Sequence, residues 1–446
     1  MADRRTVVVG GGLAGIAAAL RLADGGREVV LLEKRPRLGG AAFSFRRGEL
    51  SVDNGQHVFL RCCQAYRQLL DRLGVADQVV LQRRLDIPVL RPDGRRGRLS
   101  RVRGVPAPLH LGAALSRYGL LSSADRARVI RGAVALRLLD PSDRSLDAQT
   151  FGAFLRAHGQ NDETIEGLWS IVATATLNLA PDDASLALAA KVFRTGLLDR
   201  ASSSDVGYAA APLADLHSAA PAAALAAAGV EVLTGHGVDS LADGFVQAGG
   251  RRFPTDAAVL AVPPREARLV APRIAPPKTE ALGTSPIVNV HVVYDRPVTD
   301  LPFAAAVGSP VQWCFDRTDS SGVRRLHPRG QYLAVTVSAA DAIVDVPSRT
   351  LQAQFVDALG ALFPAARRAT VLDAFVTRER HATFRQSAGS WALRPQPTEG
   401  HEGIWLAGSW TDTGWPDTME SAVRSGIAAA EAVMEIPLSQ VTEFAA

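Results

Sequence analysis

The β-branched run Thr6-Val7-Val8-Val9 stops at Gly10, and small and apolar residues then recur at helical spacing from 13 to 25. Strand character returns at Glu28-Val29-Val30-Leu31-Leu32, so the pattern predicts a strand-helix-strand unit with a glycine turn at its first joint. From 60 to about 200 helical periodicity dominates, over Ala65–Leu73, Ser123–Leu139, Phe151–His158 and Leu186–Phe193. An Arg-rich strand and turn around Pro92-Asp93-Gly94 interrupts it. An alanine-rich helix is predicted over Leu213–Gly229, followed by strands at Val230–Leu233, Ala257–Val262, Ile287–Tyr294, Val311–Phe315 and Tyr332–Val337. The pattern closes on the buried-strand run Ile404-Trp405-Leu406-Ala407, then Gly408 and a helix from about Thr418. No repeat of solenoid or propeller period is visible.

A chain of 446 residues exceeds one small core and predicts two or three domains, one of them discontinuous. Hydrophobic residues at 47% and charged residues at 21% belong to a folded chain rather than a disordered one. Cys62, Cys63 and Cys314 offer neither a disulfide framework nor a metal site, which reads as a reduced, cytoplasmic protein. No signal-peptide pattern opens the chain, and no uninterrupted apolar run reaches the roughly 18 residues of a membrane span. The net charge is only +4, and lysine occurs solely at 34, 191 and 278. Arginine crowds one stretch at 83, 84, 91, 95, 96, 98, 101 and 103. Biased codon usage explains the arginine preference; the sharper reading is peripheral docking on an anionic surface such as the inner face of the membrane. Nucleic acid is excluded as a partner, because that stretch lacks interleaved aromatics and no nucleic-acid motif accompanies it.

Gly10, Gly12 and Gly15 form G-x-G-x-x-G where the first strand enters the first helix. The first glycine permits the tight turn, the second lets backbone approach a pyrophosphate, and the third lets helix pack on strand. The helix N-terminus offers free N–H groups to the phosphates. Glu33 closes the second strand, where an acid accepts both ribose hydroxyls of an adenosine. These features fix a dinucleotide and leave NAD and FAD open.

Arg37-Leu38-Gly39-Gly40 and the distant Leu406-Ala407-Gly408 with Thr418-Met419-Glu420-Ser421-Ala422-Val423 resemble the amine oxidase and phytoene desaturase superfamily of flavoproteins. The resemblance implies non-covalent FAD and an α/β fold: a Rossmann-like two-dinucleotide-binding FAD domain with an inserted α+β substrate domain. The FAD domain would comprise 1–60, 211–284 and 395–440, the substrate domain 61–210 and 285–394, with a tail at 441–446. Cofactor contacts are implied at Leu13 and Ala14 within the fingerprint, at Lys34, Arg37, Gly39, Gly40 and Ala41, and at Gly55, Gln56 and His57. Val238, Ala261, Gly408, Ser409, Thr418, Met419 and Ala422 complete the implied set. Asp417 is expected to N-cap the last helix with Glu420 as its capping-box partner, which would aim positive potential at the flavin. Ser409 departs from the acidic residue that many relatives carry toward the ribityl chain.

Four blocks narrow the resemblance to the squalene-associated branch: Asp53–His57, Pro212–His217, Ser309–Arg317 and Trp410–Pro416. Its characterised activity is hydroxysqualene dehydroxylation in hopanoid synthesis, which implies a long apolar isoprenoid substrate and an electron donor that the sequence does not identify. Loss of a hydroxyl calls for a proton donor. His57, Asp215 and His217 are the candidates; capping and backbone-satisfied histidines are the structural alternatives. Trp410 and Trp415 wall an apolar tunnel or pack in a core, and Asp412 is expected in a turn. The alternatives are an isoprenoid desaturase running hydride in the opposite sense, and a flavin-stabilised scaffold without turnover. No metal site competes.

Overall fold

A computed structural model describes residues 5–242 and 244–435. The expected tail at 441–446 and the last residues of the C-terminal segment lie outside the described residues.

Strand β1 (Arg5–Val9), helix α1 (Leu13–Asp24) and strand β2 (Glu28–Glu33) form the predicted unit. β1 sits in the middle of a five-stranded parallel sheet, between β2 and Ala257–Leu260, with Glu231–Thr234 and Ile404–Leu406 at the edges. Strands from three distant parts of the chain therefore share one sheet. Val7, Val8, Val30 and Leu31 are fully buried, as expected of parallel strands covered on both faces. Small residues let α1 and the C-terminal helix Met419–Met434 meet at backbone distance: a Cβ on Gly426 would stand 2.0 Å from the carbonyl oxygen of Ala14.

The second layer is a seven-stranded sheet in the order 371–383, 285–294, 331–337, 313–316, 303–306, 86–90, 96–100. The Arg-rich hairpin thus pairs with strands from the far half of the chain, Ala305 opposite Val89. Helices between 123 and 198 pack a separate core around Phe151, Trp169 and Phe193. Helix α2 (Gln64–Arg72), expected on the substrate side of a boundary at 60, instead buries Ala65, Tyr66, Leu69 and Leu70 in the core shared by α1 and the C-terminal helix. Its apolar face runs against that helix, so the boundary at 60 does not separate the layers. A three-stranded meander over 238–254, unforeseen in the sequence, follows the edge strand Glu231–Thr234.

Candidate active site

The glycines of the first turn have different tasks. A Cβ on Gly15 would lie 1.8 Å from the carbonyl oxygen of Gly10, so Gly15 is demanded by helix-strand packing. Gly12, the N-cap of α1, has ordinary extended backbone (φ −78°, ψ 179°), and a Cβ there would meet only Gly40 Cα at 3.7 Å. The protein itself leaves that space open. No side chain caps α1 and no acid stands in its first turn, so its N–H groups face the same space unopposed.

Glu33 is buried beneath this turn, its two oxygens accepting the N–H of Gly11 (2.6 Å) and of Arg35 (2.7 Å). Each oxygen keeps a second lone pair for a ribose hydroxyl. Arg35 and Arg37 both reach the carbonyl of Gly40 (3.2 and 3.3 Å), and Arg37 lies 3.6 Å over the Phe43 ring. Burial lowers the Arg37 pKa, and the charge of Arg35 adds to the effect. Two guanidiniums gathered beside uncapped N–H groups and an open glycine fit a pyrophosphate. Arg35 was not singled out from the sequence, although it stands between two residues that were. A Cβ on Gly237 would stand 3.7 Å from that of Lys34, which brings Val238 to the same edge, and Lys34 itself is exposed with Glu266 3.4 Å away. Ala261 donates to Val9 and its carbonyl blocks any side chain on Gly10.

At the other end of the sheet Gly408, at φ +140°, takes the Ser425 hydroxyl at its N–H (2.8 Å). A Cβ there would meet the indole nitrogen of Trp410 at 2.6 Å. The carbonyl of Ser409 accepts from Arg394 and Ser421. Thr418, not Asp417, caps the last helix, accepting the Ser421 N–H at 3.3 Å. Asp417 is drawn away by the Phe384 N–H (2.8 Å), and burial raises its pKa. Glu420 forms no capping box; its buried carboxylate instead caps α2 through the N–H groups of Ala65 and Tyr66 (3.2 and 2.8 Å). Met419 and Ala422 pack beside that core. Trp410 is buried and donates to Val262 (2.9 Å), so it is a core residue rather than a tunnel wall.

The sequence blocks 53–57, 212–217 and 309–317 converge on one buried ion pair. Asp53 faces Arg317 at 2.7 Å and also accepts from Ser44 (2.6 Å) and from the N–H of Leu213 (3.0 Å). Arg317 donates to the carbonyl of Ala209 (2.6 Å). Asn54 ties the adjoining turn to Ala41 (2.8 Å) and Glu379 (3.0 Å), while Asn289 holds the Asn54 carbonyl (2.9 Å). This network fixes Gly55, Gln56 and His57 between the two layers. Neither Asp53 nor Arg317 stands out singly in the sequence; the signal for both is the block of the squalene-associated branch in which each lies.

His57 lines a crevice with Val58, Tyr208, Phe315 and Arg317. Its Nε2 is buried without a hydrogen-bond partner among the described residues, and burial lowers its pKa against the opposing charge of Asp53. His217 behaves differently. Its Nδ1 lies 3.2 Å from the Ala42 carbonyl, which can only accept, so Nδ1 carries the proton and Nε2 accepts from the Tyr66 hydroxyl at 2.9 Å. Burial pushes its pKa down to about 4. A neutral ring with both nitrogens occupied cannot serve as the expected acid. Asp215 is exposed on the opposite side of the same wide helical turn, Asp215–Ala219, and does not join His217. Two residues apart on a helix, side chains point to opposite faces.

Residues 13–434 match the family of flavin containing amine oxidoreductases. The chain belongs to that family. This flavoprotein is 31% identical over 96% of its length to hydroxysqualene dehydroxylase of Rhodopseudomonas palustris, covering 97% of that protein. It is 24% identical over 96% of its length to zeta-carotene desaturase of Synechocystis sp., again covering 97%. Its fold is that of cyclohexylamine oxidase from Brevibacterium oxydans (TM-score 0.66, 19% identity, 97% and 99% of the two chains). An oxidoreductase from Methanosarcina mazei has it too (TM-score 0.71, 17% identity, 96% and 100%). The flavoprotein is an FAD-dependent oxidoreductase, and the open Gly12 space with Arg35, Arg37 and Glu33 fits that cofactor.

Glu33→Ala should weaken FAD binding by about 1.5–3 kcal/mol, the worth of hydrogen bonds to a charged acceptor. Titration of apoprotein with FAD reads this directly, and an unchanged Kd would remove Glu33 from ribose recognition.

Proposed function

We propose that this flavoprotein carries out reductive dehydroxylation, turning hydroxysqualene into squalene and water. The observation that carries the reading is the buried Nε2 of His57, partnerless among the described residues, in a crevice of about 10 Å³ that Asp53 and Arg317 line together with Val58, Tyr208 and Phe315. A desaturase needs only an apolar slot, whereas departure of a hydroxyl needs a proton at the end of one.

When bound and reduced, FAD supplies the hydride equivalent that replaces the hydroxyl. Everything else falls to the chain. The described parts of the N-terminal unit, the 211–284 segment and the C-terminal segment, with α2 added, hold the cofactor; the seven-stranded sheet holds the isoprenoid. His57 Nε2 hydrogen-bonds the substrate hydroxyl and delivers a proton to its oxygen, so that it leaves as water. The Asp53–Arg317 pair is a positioning element that holds the 53–57 turn beside the crevice. Val58, Tyr208 and Phe315 narrow the crevice on its apolar side, which limits access of bulk water to the reacting carbon.

The desaturase alternative is separated by products. Oxidised protein given squalene or phytoene should form no conjugated, coloured polyene, while reduced protein given hydroxysqualene should yield squalene. Coloured products together with inert hydroxysqualene would reverse the assignment.

A long apolar substrate also favours docking at a bilayer surface. Among the described residues no helix is long and apolar enough to cross a membrane. The segment 109–121 offers little apolar surface: Tyr118, Leu120 and Leu121 are buried, and Leu109 is its one strongly exposed large apolar side chain (69%). Four of the neighbouring arginines are also committed, Arg91 and Arg95 to Asp93, Arg98 to Asp86 and Arg101 to Asp205. A better lipid contact is helix Ser123–Leu138, whose outer face stacks Ile130, Val134 and Leu138 (55, 54 and 81% exposed) beside Arg131 and Arg137. The protein should bind vesicles containing anionic lipid, less so in salt, and Ile130→Ser/Val134→Ser/Leu138→Ser should abolish sedimentation with them. Equal binding by that variant would remove the helix from the contact.

A further inference from the structure

A second crevice, of about 410 Å³, shares no lining residue with that of His57. It opens beside the start of α2, between the segment 195–203 and the chain entering the C-terminal helix. Arg61, Arg67, Arg200 and Arg424 line it, and Asp199 is the sole carboxylate among its lining residues. Lys191 adds a fifth cation, its Nζ 5.0 Å from the centroid of the Trp415 ring, which Arg424 also approaches at 5.1 Å.

Arg61 and Arg424 carry counter-charges of their own, which leaves Arg67, Arg200 and Lys191 as the less committed cations. Asp205 is divided between Arg61 (2.8 Å) and Arg101 (2.6 Å). Glu420 accepts from Arg424 (2.7 Å) while capping α2, and Asp199 pairs with Arg194 (3.2 Å). Arg67 makes one bond, to the Arg61 carbonyl (3.3 Å), and the guanidinium of Arg200 makes none among the described residues. Burial and the charge of Arg424 lower the Lys191 pKa, outweighing the opposing charges of Asp199 and Glu420. Converging like charges cost energy until an anion sits among them. Guanidiniums match phosphate oxygens in fork geometry, and the hydroxyls of Thr195, Ser202 and Ser203 on the same wall are suitable further donors.

We propose that this crevice is a binding site for a phosphate-bearing anion, gripped by Arg67 and Arg200 and backed by Arg424 and Lys191. It is separate from the cradle at Gly12, and it does not depend on the dehydroxylation reading.

The test uses FAD-loaded protein, in which the Gly12 cradle is filled. Calorimetric titration with inorganic pyrophosphate should show one saturable site that weakens with potassium chloride. Arg67→Ser/Arg200→Ser should weaken it by about 30-fold or more, in line with losing charge-assisted hydrogen bonds. Arg200→Glu should do the same at an exposed position whose side chain has no bond to lose, with unchanged FAD content as the folding control. A parallel arm uses phosphatidylcholine vesicles with and without phosphatidic acid. Pyrophosphate binding that depends on Arg67 and Arg200 assigns a soluble phosphate compound. Capture of phosphatidic acid vesicles alone, with the same dependence, assigns a lipid headgroup. Absence of both, or binding that survives the substitutions, overturns the proposal.

Discussion

Gly12→Val is expected to lower FAD affinity at least about 100-fold, roughly 2.7 kcal/mol or more, while leaving the protein folded. The geometry separates ligand from fold at this position. The backbone of Gly12 is extended, a conformation open to any residue, and the nearest atom to an added Cβ is 3.7 Å away. The protein therefore leaves room for a Cβ here, and a valine side chain would reach into the space where a pyrophosphate must approach the N–H groups of α1. Gly15→Ala makes the contrast, because its methyl would drive into the Gly10 carbonyl at 1.8 Å and disrupt the strand-helix joint itself. Far-ultraviolet circular dichroism and bound-flavin absorbance distinguish the two outcomes. Gly12→Val protein that retains its yellow colour would mean the cofactor lies elsewhere.

His57→Ala should slow dehydroxylation by about 100-fold or more, within the usual worth of general acid assistance, with FAD content and fold retained. Asp215→Asn should leave the rate unchanged, since that side chain is exposed and apart from the crevice. The pH dependence has a definite sign. Burial lowers the His57 pKa below 6.5, so the protonated ring is a minority at neutral pH and grows as pH falls. Turnover should rise on acidification from pH 7 through 6.5 and below, and His57→Ala should flatten that limb. The same lowered pKa makes the neutral ring the one that favours folding, so stability falls over the range in which activity rises. Full activity of His57→Ala with an unaltered profile would move the acid to another group.

The strand-helix-strand unit, the glycine fingerprint and Glu33 were legible because each rests on neighbours in sequence: period, turn and strand end lie within one short segment. The last helix was legible in place but not in its cap. Asp417 and Thr418 are adjacent and both cap well, and the choice between them was made by the Phe384 N–H, which belongs to another segment of the chain. Asp215 and His217 read as a pair because two positions separate them; the helical turn that carries them rotates one to solvent and the other onto Tyr66. The Asp53–Arg317 bond joins residues 264 positions apart, and no local pattern announces such a partner. The meander at 238–254 was hidden for a different reason: its strands are short and bounded by glycines that resemble loop composition. The strand Val371–Thr383 carries Arg378, Glu379 and Arg380 in succession, a run that masks its alternation.

Reductive dehydroxylation adds a hydride equivalent to a carbon while its hydroxyl leaves as water. Photoreduced protein, held without oxygen and mixed with hydroxysqualene, tests it in a single turnover. Flavin absorbance should return to the oxidised form with one squalene produced per flavin, and squalene added in place of hydroxysqualene should leave the flavin reduced. Flavin that stays reduced with hydroxysqualene, or reoxidises without forming squalene, would contradict the account.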